Sequence, residues 1–115
     1  MKNILVPIGS SENSVNTLQY AIDFASEVDA NVFVLRAYIA QTKAGTMIDV
    51  NAILERESNL YMRSMIKSVD RKGIDIQLIS AKGNVVDSIA AVEKKIGVDL
   101  IMMGPKVILL KKKCF

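Results

Sequence analysis

Short apolar runs alternate along this chain with longer segments in which apolar residues recur every three or four positions. The first run, Asn3 to Ile8, has no alternation of polar and apolar residues, which is typical of a strand covered by helices on both faces. Turn and cap residues follow it at Gly9, Ser10 and Ser11. Helical spacing of apolar residues then appears at Val15, Leu18, Ile22 and Ala25. The pattern predicts a strand, a polar turn and an amphipathic helix.

The same unit is repeated downstream. Asn31 to Tyr38 is rich in β-branched and aromatic residues and predicts a second strand. After a loop around residues 41–46, apolar residues at helical spacing predict a helix from about Asp49 to Arg71, with a glycine stop at Gly73. A second strand and a second helix are therefore expected.

A third unit completes the alternation. Residues 74–80 alternate apolar and polar side chains, as expected of a strand near the edge of a sheet, where one face can meet water. The next helix is predicted to begin on an Asn84 cap and to end at Gly97. Residues 99–103 then read as a fourth strand, closed by Gly104 and Pro105.

Four strands alternating with three helices predict an α/β fold, a Rossmann-like parallel twisted sheet with helices on both faces. We expect a single domain over residues 1–115, with residues 104–115 as an atypical tail. In such sheets a ligand binds outside the carboxyl ends of the strands. The candidate site is therefore predicted at the turns that follow Ile8, Tyr38, Ser80 and Met103.

Composition removes several classes of function. The chain of 115 residues has no histidine, which excludes Ser-His-Asp and Cys-His catalysis and zinc sites that contain histidine. Its single cysteine, Cys114, cannot form an internal disulfide, so a reducing compartment, the cytoplasm, is expected. No apolar stretch approaches the roughly 20 residues that span a bilayer, and we expect neither a membrane anchor nor a signal peptide.

The formal net charge of +3 has a local source. Lys106 and the run of lysines at residues 111–113 lie in the last ten residues, and the rest of the chain is close to neutral. A solvated tail accounts for this charge better than nucleic-acid binding does, because no basic stripe accompanies it.

Four segments together resemble the universal stress protein family. ILVPIGSSENS resembles the first strand and turn of that family, VFVLRAY its second strand, Gly83 with Ile89 its third helix, and VDLIMMG its fourth strand. The resemblance covers about Met1 to Gly104. It implies a stress-response protein with a parallel sheet, usually of five strands, usually a homodimer, and not an enzyme. In one subgroup of the family, ATP is bound without a dedicated catalytic site.

The resemblance also implies positions for a nucleotide, ATP or AMP. The adenine side of the pocket would fall at Ile8, Gly9, Ala37 and Met103. Glycines at Gly83 and Gly104 would let the backbone approach ribose and phosphate closely.

Two departures from the family pattern weaken ATP binding. Gly9 stands where the ATP-binding subgroup has an aspartate. The phosphate loop of the family has a second glycine where this chain has Val107, and Pro105 removes an N–H donor from the loop. We therefore expect a regulator or dimerisation module without tight ATP binding. The alternative is an adenine-nucleotide-binding stress protein whose reduced pocket holds adenosine or AMP.

The end of the chain also differs from the family, which continues through one more helix and strand. The segment VILLKKKCF is expected to be a truncated, frame-altered or divergent end. If no fifth strand forms, the fourth strand keeps an exposed edge beside the apolar residues 107–110. We therefore expect a dimer or higher oligomer through this region.

Two further clusters have simpler explanations than a site. The serines Ser10, Ser11 and Ser14 lack the paired glycines and aspartate of a pyrophosphatase phosphate loop, so helix capping is favoured. The acidic residues Asp23, Glu27 and Asp29 lie on or beside the solvated face of the first helix, which favours surface charge over metal ligation. No dinucleotide or P-loop glycine motif occurs.

Overall fold

The computed structural model describes residues 3–9, 13–39, 50–103 and 106–109. Strands and helices alternate as far as the fourth strand, and a fifth strand follows. The elements are β1 (Asn3–Pro7), α1 (Asn13–Val28), β2 (Asn31–Tyr38), α2 (Val50–Ser68), β3 (Ile76–Lys82), α3 (Val85–Ile96), β4 (Leu100–Met103) and β5 (Lys106–Leu109).

The strands form one sheet in the order β3-β2-β1-β4-β5. The first four are parallel, so the predicted arrangement of four parallel strands and three helices is confirmed. The edge position predicted for the third strand is also confirmed, although β3 runs two residues later than expected because its pairing with β2 continues to Tyr38 and Lys82.

The segment described in the sequence analysis as an atypical tail adds a strand to the sheet. Its residues 106–109 form β5, which pairs antiparallel with β4 in the register Leu100↔Leu109 to Met103↔Lys106. Only two residues separate the strands, so the chain reverses direction as in a hairpin instead of crossing over through a helix. The exposed edge of β4, on which the predicted oligomer contact depended, is therefore occupied by the chain itself.

The core has two layers, one on each face of the sheet. On one face α1 and α2 cover the strands, with Ile4, Leu18, Ile22 and Met62 fully buried. On the other face α3 covers Leu5, Leu35 and Ile101. Successive residues of β1 point to opposite faces and both faces are covered, which explains why the run has no polar alternation. Each such side chain contributes about 1.5 to 3 kcal/mol on burial.

Helix α3 begins and ends at the predicted cap residues, Asn84 and Gly97. The side chain of Asn84 accepts a hydrogen bond from the Asp87 N–H at 2.8 Å. At the other end Gly97 adopts φ of 81°, and its N–H donates to the Glu93 carbonyl at 2.9 Å. Both caps satisfy backbone groups that the helix leaves without an internal partner.

Candidate functional site

The turn after β1 is closed by a serine. The Ser14 hydroxyl accepts a hydrogen bond from the Gly9 N–H at 3.1 Å and lies 3.3 Å from the Gly9 carbonyl oxygen, to which it can donate. Ser14 is buried, whereas Gly9 is exposed. The hydroxyl is therefore part of the turn itself. Ser10 and Ser11 of the predicted serine cluster lie outside the described residues.

The turn after β3 is tied to the end of β2. The Gly83 N–H donates to the Tyr38 carbonyl at 2.8 Å, and Gly83 adopts φ of 125°, which side chains of L-residues rarely permit. Ser88 extends the turn, since its hydroxyl donates to the Asn84 carbonyl at 2.8 Å. The N–H of Gly83 is therefore already engaged within the protein.

The five predicted site residues that the structure describes fall at one edge of the sheet but not on one face. Ile8 follows β1 and packs in the core beneath α1 and α2. Met103 ends β4 and packs in the cluster beneath α3. Ala37 is half-buried near the end of β2, opposite Ala81 of β3. Gly104 lies outside the described residues. The structure therefore brings Gly9, Ala37, Gly83 and Met103 to the carboxyl edge and leaves the Ile8 side chain in the core.

Sequence reasoning missed a cation near this edge. Arg36 lies in β2, and its guanidinium carbon is 4.3 Å from the centre of the Tyr61 ring, within the range of a cation-π contact. The signal was present in the sequence, because Arg36 is the one charged residue within the apolar strand VFVLRAY. Its position on the face of α2 places positive charge beside the carboxyl ends of the strands.

The acidic residues of α1 have ordinary surface roles. The Asp23 carboxylate lies 3.1 Å from the Lys72 ammonium and accepts a hydrogen bond from the Gln19 amide at 3.0 Å. These two contacts, the Lys72 hydrogen bond first, hold the pKa of Asp23 below its ordinary value. Within residues 3–9, 13–39, 50–103 and 106–109, no three acidic, cysteine or histidine side chains converge as metal ligands would.

The fold and the carboxyl edge of the sheet together define a class of protein. An open, twisted α/β sheet with helices on both faces presents its ligand site at the carboxyl ends of its strands. The family model of the universal stress protein family matches residues 1–108. The chain belongs to the universal stress protein family, and the resemblance found in the sequence is confirmed.

Curated and solved relatives agree with this assignment. A universal stress protein of Methanocaldococcus jannaschii is 24% identical over 108 residues, which cover 90% of this chain and 64% of that relative. A family member from Burkholderia pseudomallei has a similar structure, with a TM-score of 0.74, 18% identity, and coverage of 90% of this chain and 80% of that one.

A second solved structure is a universal stress protein in complex with cAMP. Its TM-score is 0.70 at 20% identity, and the match covers 93% of this chain and 75% of that one. At such identities the likeness shows the fold. Separately, none of the described helices is long and apolar enough to cross a membrane.

Proposed function

We propose that this chain is a stress-response regulator or dimerisation module that does not hold ATP tightly and has no catalytic activity. One observation carries the proposal: the N–H groups of Gly9 and Gly83, at two of the turns on the ligand edge, are already bonded within the protein. A phosphate cradle is built from backbone N–H groups that are free to point at the ligand.

The cost of binding a triphosphate explains why this matters. A triphosphate brings several negative charges out of water, and each needs hydrogen bonds or cations to offset its desolvation. Redirecting the Gly9 N–H would leave the buried Ser14 hydroxyl without that donor. The missing aspartate at position 9 removes a further polar contact to the nucleoside.

Equilibrium dialysis of the chain against labelled ATP tests the proposal. We expect the protein to retain no labelled ATP when ATP is present at about 10 μM. Retention at that ATP concentration would overturn the proposal. Gly9→Asp is the informative variant, because a Cβ added at Gly9 meets nothing within 4 Å. It should leave the protein folded and still without tight ATP binding, since the phosphate contacts are not restored.

A second candidate is binding of an adenine nucleotide with a single phosphate, AMP or cAMP. The relative solved with cAMP favours it. A single phosphate needs fewer donors than a triphosphate, and Arg36 supplies a cation near the edge. A rise in melting temperature with AMP or cAMP, but not with ATP, would support this candidate. No shift with either would remove it.

Self-association in the cytoplasm is part of the proposal. The strand β5 has a neighbour, β4, on one side, and its other side forms an edge of the described sheet. An edge strand is a template for pairing with a second copy. We expect a homodimer in sedimentation at tens of micromolar protein, and a clean monomer there would contradict dimerisation.

A further inference from the structure

The strand β3 forms the opposite edge of the sheet and pairs with β2 alone among the described strands. The carbonyl of Asp75 accepts from the Val32 N–H at 3.1 Å, and the Gly83 N–H donates to the Tyr38 carbonyl. Alternate residues of a strand direct their backbone groups to the same side, so the odd-numbered residues of β3 face β2. The residues whose N–H and C=O groups face outward are therefore Ile76, Leu78, Ser80 and Lys82.

A largely apolar cleft lies beside this edge on the side of α3. Its volume is about 470 Å³. Helix α3 contacts mainly β2 and β1, so the α3 side of β3 is left open. Ile79 of β3 is half-buried, and Lys95 is the one charged side chain among the described residues that line the cleft. The other main lining residues are Phe33, Gln77, Val92 and Ile96.

A second groove, of about 320 Å³, lies on the other side of the edge along α2. Asn59 lines this groove, and its side-chain oxygen accepts a hydrogen bond from the Ser80 hydroxyl of β3 at 2.7 Å. That bond locates the groove beside β3, whereas Tyr61 on the same helix packs against Arg36 of β2. The groove includes two cations, Arg56 and Arg63.

The described side chains that line the two grooves carry more positive than negative charge. The cations are Arg56 and Arg63 in one groove, Lys95 in the other and Lys82 in β3, and within the described part of the chain none of them has an ion-pair partner. Among the described residues, Glu55 is the one carboxylate that lines either groove. Pairing β3 with β3 of a second copy would bring these cations together, which disfavours self-association here and favours a partner with carboxylates.

We propose that the outer edge of β3 binds an extended peptide segment in which acidic and apolar residues alternate. Such a segment would add as a strand, with its backbone paired to the outward groups of β3. Because side chains of a strand alternate between faces, carboxylates on one face meet Arg56 and Arg63, and apolar side chains on the other enter the cleft against Ile79. This site does not depend on whether a nucleotide binds.

Fluorescence anisotropy with a labelled seven-residue peptide, Glu-Val-Glu-Ile-Glu-Val-Glu, tests the proposal on the full chain. Its length matches the seven residues of β3. We expect saturable binding, and much weaker binding of a peptide of the same composition in which the four glutamates are consecutive. Two N-methylated versions, blocked at the glutamates or at the apolar residues, test strand addition. One of them should lose binding and the other should retain it, because only one set of N–H groups faces β3.

Charge-reversal variants with matched controls locate the site. Arg63→Glu should weaken binding about fivefold to tenfold, whereas Lys95→Glu, on the face that meets the apolar side chains of the peptide, should weaken it less. Lys67→Glu and Lys94→Glu change the same charge at exposed positions of the same helices that line neither groove, and they should leave the affinity unchanged. Circular dichroism of all four variants confirms that the fold is retained.

Several results would overturn the proposal. These are the absence of binding at millimolar protein, equal binding of the alternating and block peptides, retention of binding by both N-methylated peptides, and equal losses in the site and control variants. The same holds for a dimer that is abolished by Arg63→Glu, since that would identify a second copy as the occupant.

Discussion

The centre of the sheet and the turns at its carboxyl edge differ in what determines their residues. Ile4, Leu5 and Val6 of β1 are fully buried between helices on both faces, whereas Gly9, three residues beyond, is exposed and open. Packing fixes the size and polarity of the buried side chains, but it places no such demand on the turn. The family fold can therefore persist while the groups that would contact a ligand change.

The largest effect on stability is expected for a substitution in the buried core. Leu18→Ala removes a fully buried side chain of α1 and should destabilise the protein by about 2 to 5 kcal/mol, because a cavity remains where the side chain packed. Urea unfolding measures the loss. Tyr20→Ala, at a mostly exposed position of the same helix, should change stability by about 0.5 kcal/mol or less. Similar losses in both variants would contradict the distinction between core and surface.

The second-largest loss of stability is expected for a substitution in the turn after β3, and it arises from backbone strain. Gly83→Ala should cost about 1 to 3 kcal/mol because φ of 125° strains a residue with a Cβ, although the added Cβ meets nothing within 4 Å. Gly9→Ala is the matched control, since the space there is equally open and φ is not positive. It should be within about 1 kcal/mol of the parent. If the two variants unfold alike, the strain argument is wrong.

Loss of the α3 cap should have a smaller effect. Asn84→Ala removes the acceptor for the Asp87 N–H and should cost about 1 kcal/mol. Val86→Ala, in the first turn of the same helix and largely exposed, keeps the cap and serves as the control. Thermal unfolding of both variants makes the comparison, and an Asn84→Ala protein as stable as the control would count against the cap.

The smallest effect concerns the surface pair of Asp23 and Lys72, about half exposed on both sides. The pKa of Asp23 is lowered in the folded state, so the pair stabilises the fold above the unfolded pKa of about 3.9, and this contribution is lost as pH falls through the folded pKa. Lys72→Met should narrow the stability difference between pH 7 and pH 3 slightly. A wider difference in that variant would contradict the assigned sign.

The elements whose residues are set by burial and capping were predictable from the sequence. The run of β1, the alternation that makes β3 an edge, and the Asn84 and Gly97 ends of α3 all have local signals. The strand β5 was not predicted. The family pattern suggested that a helix follows β4, whereas β5 follows after two residues and pairs with β4 as in a hairpin. The sequence also did not show that Ile8 and Met103 lie on opposite faces of the sheet, because that depends on the three-dimensional packing.

At the site, the sequence located the edge but not its hydrogen bonds. Gly83 was expected to let the backbone approach a ligand, whereas its N–H is bonded to the Tyr38 carbonyl, and the N–H of Gly9 is bonded to the Ser14 hydroxyl. Neither composition nor a motif shows which backbone N–H is already hydrogen-bonded within the protein, because the acceptor comes from another element of the fold. The cation-π contact of Arg36 with Tyr61 joins two elements in the same way.

The melting temperature of the chain with and without ATP tests the central claim most directly. A ligand bound with a Kd of about 10 μM would stabilise the fold by about 2.7 kcal/mol at about 1 mM. For a chain of this size that is roughly 10 °C. We predict a shift of less than about 1 °C with ATP. A rise near 10 °C would mean that the carboxyl edge grips the triphosphate despite its engaged N–H groups, and it would contradict the account.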